Sequence, residues 1–304
     1  MDEALAGLVS GAASTLALQP LDLLKVRYQA RGNMWSATGR GLGGLGTTVA
    51  NVWRQEGLRG FFAGASAAVV GSAASWGLYF FFYDSYKSWA KGALGMGEDE
   101  RLQAWQNGCA ALAAGMSTTC FTNPIWLIKT RLQLQDQGVP GKRPYRGMLD
   151  AARQIVAEEG IAGLYRGITP ALFLAVHGLV QFSVYEELKA WHGLPEQGGG
   201  DMTSGPLAVL PRSAGIFIMG AASKVLATAV TYPYQVAKTR MQQRLAVGHS
   251  VYGRLWPTLL HIARTEGVAE LYAGFLPNLL RVVPSSALTL SIYEAVKPRL
   301  AWLS

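Results

Sequence analysis

The sequence predicts an all-α membrane protein with six transmembrane helices in three pseudo-threefold repeats. Three observations predict it: one motif written three times, apolar stretches of spanning length, and basic charge gathered in alternate connections. The motif runs Gln19-Pro20-Leu21-Asp22-Leu23-Leu24-Lys25-Val26-Arg27-Tyr28-Gln29 in its first copy. It returns as Asn123-Pro124-Ile125-Trp126-Leu127-Ile128-Lys129-Thr130-Arg131-Leu132-Gln133, and again as Tyr232-Pro233-Tyr234-Gln235-Val236-Ala237-Lys238-Thr239-Arg240-Met241-Gln242. The Pro-to-Pro intervals are 104 and 109 residues, which divides the 304 residues into three units of similar size, 1–97, 98–206 and 207–304. Two further signals keep the period. One is Glu56-Gly57, Glu159-Gly160 and Glu266-Gly267; the other is a Tyr-acid-x-x-Lys set beginning at Tyr83, Tyr185 and Tyr293. Self-similarity at fixed spacing sets architecture before any single residue does. Three copies around one axis are a natural frame for a pore or cavity.

Half of the residues are apolar and 15% are charged, against roughly 25% charged in an ordinary soluble domain. Apolar stretches run near 5–19, 61–83, 104–123, 167–185, 213–232 and 275–293, two per repeat. Lengths near twenty residues suit a hydrocarbon core about 30 Å thick. Helices are the credible spans, because backbone groups in lipid must be satisfied within the segment. Gly, Ser, Thr and single polar residues interrupt each stretch, as expected where one face meets water or a packed neighbour.

Charge then orients the chain. The segments 25–61, 129–167 and 238–274 hold 6, 7 and 5 Lys or Arg, together 18 of the total 27. Such connectors are retained on the translation side of a membrane, so the net charge of +8 belongs to one membrane face and is not a nucleic-acid signal. The same connectors suit anionic lipid head groups. Met1-Asp2-Glu3-Ala4 opens acidic, without the Arg-rich amphipathic segment of a transit peptide, so targeting information is expected within the spans. Cys109 and Cys120 share one predicted helix without redox or metal spacing.

Each motif Pro stands at the end of an odd-numbered span, where it removes a backbone donor and kinks the helix. Asp22 and Lys25 lie three apart and so share a helical face, and an acid and a base on each of three helices could pair around a ring. The Tyr-acid-x-x-Lys set repeats the design at the opposite surface. Ionisable residues inside a membrane are costly and default to function. Two charge rings at opposite ends of one cavity read as alternating barriers.

Over its whole length the chain resembles the mitochondrial carrier family, on the Pro-x-acid-x-x-base-x-base-x-Gln motif of all three repeats. The resemblance implies a six-helix carrier with short matrix helices, working as a monomer in the mitochondrial inner membrane with both termini in the intermembrane space. It implies a cytoplasmic gate in which Asp84 pairs with Lys189, Glu186 with Lys297 and Glu294 with Lys87, with Tyr83, Tyr185 and Tyr293 beside them. It implies a matrix gate in which Asp22 pairs with Lys129 while Gln29, Gln133 and Gln242 brace the ring. Cardiolipin at the matrix side is a further implied partner. Trp126 and Gln235 depart from the pattern, since both replace an acid. Lys25 and Lys238 are then left without carboxylates and would favour an anionic solute; in the plainer alternative Gln235 hydrogen-bonds Lys25 and Trp126 fills volume.

Candidate substrate residues follow. Lys224 lies eleven residues before Gln235, nearly on one helical face and some 16 Å along the axis; the alternative is a structural ion pair. Arg281, seven residues after Gly274, matches the position where members of the family contact substrate on the sixth helix. The corresponding positions are Gly71 on helix 2 and Leu174 or Ala175 on helix 4, where spacing to Glu186 leaves one residue of ambiguity. Trp76, and His177 with Gln181, follow helical spacing on the same two helices, with a packing role as the alternative. Asn123-Pro124-Ile125-Trp126 is similar to the branch of the family carrying nucleotides, dinucleotide cofactors and folates, and the run Ser75–Tyr83, Tyr232-Pro233-Tyr234-Gln235-Val236 and Arg281-Val282-Val283-Pro284 together resemble its FAD/folate subgroup. That implies FAD as transported substrate and not as a prosthetic group, with folate, NAD or pyrimidine nucleotides as alternatives and a non-transporting adaptor as the remote one.

An enzyme is not expected. Gly41-Leu42-Gly43-Gly44-Leu45-Gly46 matches the dinucleotide fingerprint Gly-x-Gly-x-x-Gly, but it follows no predicted strand and sits in a basic connector. No metal spacing occurs.

Overall fold

The computed structural model describes residues 2–30, 42–97, 100, 102–135, 143–193, 212–244 and 253–281. They form helices α1 (Asp2–Ala30), α2 (Leu42–Gly60), α3 (Ala65–Ala93), α4 (Ala104–Leu134), α5 (Met148–Glu159), α6 (Ile168–Phe173), α7 (His177–Trp191), α8 (Arg212–Gln242) and α9 (Leu255–His261), with residues 275–281 also helical. No strand occurs among the described residues, and Leu42–Gly46 of the glycine fingerprint lie within α2.

Five of the six expected spans are described throughout, and each helix outruns its apolar stretch. Pro20, Pro124 and Pro233 all lie inside helices that continue through the charged motif. The motif cations therefore ride on the spanning helices themselves. Ala65–Ala93, Ile161–Trp191 and Ala214–Gln242 have the length and mean hydropathy (1.3, 1.5 and 1.6) to cross a membrane. Large apolar side chains on these helices and on α4 point outward: Phe81, Phe121, Phe182, Phe217 and Val230 are all exposed. In water such a surface would aggregate; against acyl chains it is the low-energy arrangement.

The repeat builds the same small core three times. Leu23, Val52 and Phe61 pack together under the first repeat. Leu127 and Ile155 with Leu164, and Val236 and Ile262 with Leu271, occupy the equivalent places in the second and third. The connector helices α2, α5 and α9 are thus folded back beneath the motif helices.

In the second repeat the even-numbered span is interrupted. A 3-10 turn, Leu174–Val176, separates α6 from α7. From the glycine that opens this span to its gate acid the second repeat counts 19 residues (Gly167 to Glu186), where the first counts 20 (Gly64 to Asp84). Three residues of 3-10 helix rise about 6 Å, as much as four α-helical residues. The turn restores the length lost with the missing residue, and this accounts for the ambiguity between Leu174 and Ala175.

The glycines opening the even-numbered spans adopt left-handed backbone: Gly64 at φ 74°, Gly167 at φ 75° and Gly274 at φ 80°. A Cβ on Gly64 would stand 3.0 Å from the Lys129 carbonyl, and one on Gly274 the same 3.0 Å from the Lys25 carbonyl. Each glycine lets one repeat close against a motif helix of another. Gly64→Ala should therefore cost about 1–2 kcal/mol for the left-handed backbone plus the clash, read as a lower thermal midpoint in detergent. Gly95→Ala, also left-handed at φ 66° but with nothing within 4 Å, should show the backbone cost alone. Equal shifts for the two would remove the close approach from the account.

Candidate functional site

The motif residues meet at one end of the bundle. Lys129 Nζ lies 2.6 Å from Asp22 Oδ2, joining α4 to α1. Gln133 Nε2 donates to the same oxygen at 3.1 Å, and Arg281 Nε stands 3.7 Å from Asp22 Oδ1. Lys25 Nζ donates to Gln235 Oε1 at 3.0 Å, joining α1 to α8. Trp126 has its indole N–H directed at Ser75 Oγ, 3.2 Å away, and Lys129 Nζ lies 5.1 Å from its ring centroid. The bracing glutamines knit the same ring. Thr239 donates to Gln29 Oε1 at 2.8 Å and Thr130 to Gln242 Oε1 at 2.9 Å. The first repeat carries Val26 at the equivalent place, and there Gln133 turns its amide to Asp22 instead.

Beneath this ring lies a second that the sequence reading did not pair. Arg27 forks onto Glu56, Arg131 onto Glu159 and Arg240 onto Glu266, with second-arm distances of 2.8, 2.9 and 2.9 Å. The Nε of each arginine donates to a carbonyl of another repeat: Arg27 to Gln133, Arg131 to Gln242 and Arg240 to Gln29. The period of the Glu-Gly pairs was visible in the sequence; their arginine partners were the missed signal, one residue apart from each motif Thr or Val.

Above the motif ring opens a cavity of about 780 Å³, within the range of small-molecule sites. Its wall includes Asp22, Lys25, Trp126, Lys129, Gln235, Lys238, the three bracing glutamines, Trp76, Leu174 and Arg281. Four cations (Lys25, Lys129, Lys238, Arg281) thus face one carboxylate (Asp22) across the lining, a net of +3. Four sequence candidates stand off it. Gly71 is buried, where a Cβ would touch Ile125 at 3.2 Å and the Trp126 ring at 3.5 Å; its missing side chain seats the indole. His177 Nδ1 pairs with Thr231 Oγ1 at 3.0 Å, tying α7 to α8. Lys224 is half-buried on α8 within electrostatic reach of Arg281. Gln181 is half-buried on α7.

The opposite end has a different condition. Lys189 pairs with Glu186 on its own helix at 3.1 Å, so the expected Asp84–Lys189 bridge is not formed. Asp84 is exposed, Lys87 lies 5.2 Å over the Tyr83 ring, and Tyr185 packs on Met219. The helices meet at the motif end, and at the opposite end the carboxylate that Lys189 takes among the described residues is the one a single turn away. Tyr293, Glu294 and Lys297 lie outside the described residues.

A ring of motif cations closing one end of a threefold cavity is matched by what the chain is similar to. The family model described as mitochondrial carrier protein matches residues 1–93, 100–194 and 211–302, once per repeat. The chain belongs to the mitochondrial carrier family. Members of this family are transporters, and the helices above form the family's all-α fold. The carrier is 41% identical over 298 residues to the chloroplastic folate transporter 1 of Arabidopsis thaliana, covering 97% of this chain and 94% of that one. It is 33% identical over 302 residues to the mitochondrial nicotinamide adenine dinucleotide transporter 1 of Saccharomyces cerevisiae, covering 99% and 78%. To the mitochondrial FAD carrier protein of the same yeast it is 31% identical over 315 residues, covering 98% and 96%. Relatives of this carrier thus move folate, a nicotinamide dinucleotide or a flavin dinucleotide.

Proposed function

We propose that this carrier moves a bulky anionic cofactor with a planar ring across the mitochondrial inner membrane by alternating access, FAD being the first reading. The observation that carries it is the cavity lining, with four cations to one carboxylate and Trp76 and Trp126 on the walls. A diphosphate would be held by Arg281 and Lys25, whose charge-assisted hydrogen bonds are the strong ones. A flat ring would lie against an indole face. Folate, with carboxylates and a pteridine, is the second reading, favoured by the relative that is 41% identical.

In this reading the motif end is the matrix gate, closed by Asp22–Lys129 and Lys25–Gln235, and the opposite set is the cytoplasmic gate. Asp84, Lys87, Glu186 and Lys189 are then poised to exchange partners when that side closes, with Glu294 and Lys297 completing the ring. Lys224, Gly71, His177 and Gln181 stand behind the lining and would position the groups that make the first contacts. The carrier works as a monomer, with both termini in the intermembrane space and cardiolipin against the matrix helices.

Uptake into liposomes of labelled FAD, FMN, folate, NAD and pyrimidine nucleotides tests it. FAD uptake that saturates supports the first reading; folate uptake without FAD supports the second. A chain that moves none of them would be a carrier-fold adaptor.

A further inference from the structure

We infer that the closed end of the cavity is an anion site, in which a bound oxyanion takes the place of the two carboxylates that the threefold pattern lacks. The inference rests on the reading of this cavity as the substrate path and says which group of the substrate reaches its floor. Three acid positions (22, 126, 235) and three cation positions (25, 129, 238) are related by the repeat. The structure pairs cation 129 with position 22, and cation 25 with position 235. The same step sets cation 238 opposite position 126, which is a tryptophan.

Each pairing ends differently. Lys129 has a carboxylate, Lys25 has the neutral Gln235 oxygen as its hydrogen-bond partner with Asp22 attracting it only at longer range, and Lys238 makes no hydrogen bond or ion pair among the described residues. Trp126 cannot serve Lys238 as an acceptor, since its N–H is directed to Ser75 and its ring already carries Lys129. Arg281 draws on the one carboxylate as well, at 3.7 Å. Lys25 and Lys238 therefore bring two positive charges to the cavity floor with no carboxylate in ion-pair contact with either among the described residues. A charge withdrawn from bulk water is stable only when paired. A phosphate or carboxylate group supplies two or more oxygens to span both ammonium groups, and Gln235 and Thr239 stand on the same wall as further polar partners. That chemistry has two sources, a free inorganic anion or the terminal anionic group of the substrate itself.

The test uses the purified full chain in detergent, with thermal unfolding followed against sodium phosphate at constant ionic strength held by sodium chloride, which carries no oxyanion. Wild type should be stabilised saturably. Gln235→Glu places a carboxylate where an amide oxygen already lies 3.0 Å from Lys25. It should raise the midpoint without phosphate and move half-saturation upward by about tenfold or more, a step of 1.4 kcal/mol. Lys238→Gln should remove most of the phosphate response, and serves as the second variant should Gln235→Glu fail to fold. Identical half-saturation in all three proteins overturns the inference. Phosphate that also raises the half-saturation for FAD or folate identifies the substrate's own group as the occupant; phosphate that stabilises without competing identifies a resident inorganic ion. A chain that transports none of the cofactors yet keeps the variant-sensitive phosphate response sinks the transport reading and leaves the anion site standing.

Discussion

Arg131→Ala should destabilise the folded carrier by about 3–5 kcal/mol, the cost of breaking a buried ion pair from one side. The Arg131 side chain is fully buried and engaged on three sides, with two arms on Glu159 and its Nε on the Gln242 carbonyl. Truncation strands the carbonyl of another repeat. Glu159 keeps only Arg166, at 3.0 Å and 41% exposed, which is screened by solvent and weak by comparison. Lysine would not rescue, because one ammonium cannot reproduce the planar fork across a carboxylate and a carbonyl. Thermal unfolding in detergent reads the effect, and a midpoint within a degree of wild type would exclude this ring from the stabilising core.

Arg281→Ala should reduce cofactor uptake about ten- to hundredfold, the equivalent of one charge-assisted hydrogen bond, while leaving the thermal midpoint nearly in place. Arg281 is only loosely engaged with the rest of the protein. Among the described residues its Nε has no hydrogen-bond partner, its closest opposite charge is Asp22 at 3.7 Å, and its side chain is 32% exposed. Little folding energy depends on it, so loss of flux would report on substrate. Lys224→Ala should lose less, since Lys224 stands off the lining. Uptake by Arg281→Ala equal to wild type would remove this residue from the site.

How far the sequence reached depended on whether a feature was periodic. The motif at Pro20, Pro124 and Pro233 placed three helices, and the departures at Trp126 and Gln235 placed the weak points of one ring, because each breaks an otherwise regular pattern. The Arg27–Glu56 link and its two counterparts were hidden although both partners recur, since nothing in one dimension says that a connector folds back under its own span. Lys224 was placed on the cavity face by carrying a straight helix through eleven residues. Pro233 stands between it and Gln235, and a helix bends where a proline interrupts its ladder. The Lys189–Glu186 pair was unreadable for another reason. Which partner a gate residue takes belongs to a conformational state, and one sequence serves both states.

The carbonyl received by Arg27 belongs to the second repeat, that received by Arg131 to the third, and that received by Arg240 to the first. Such a circle has no beginning. A fragment of one or two units would expose an orphaned guanidinium donor at one flank and a bare acceptor at the other, so the assembly is complete at three and cannot grow to four. Which unit the polypeptide enters first is, by contrast, immaterial to how they lock.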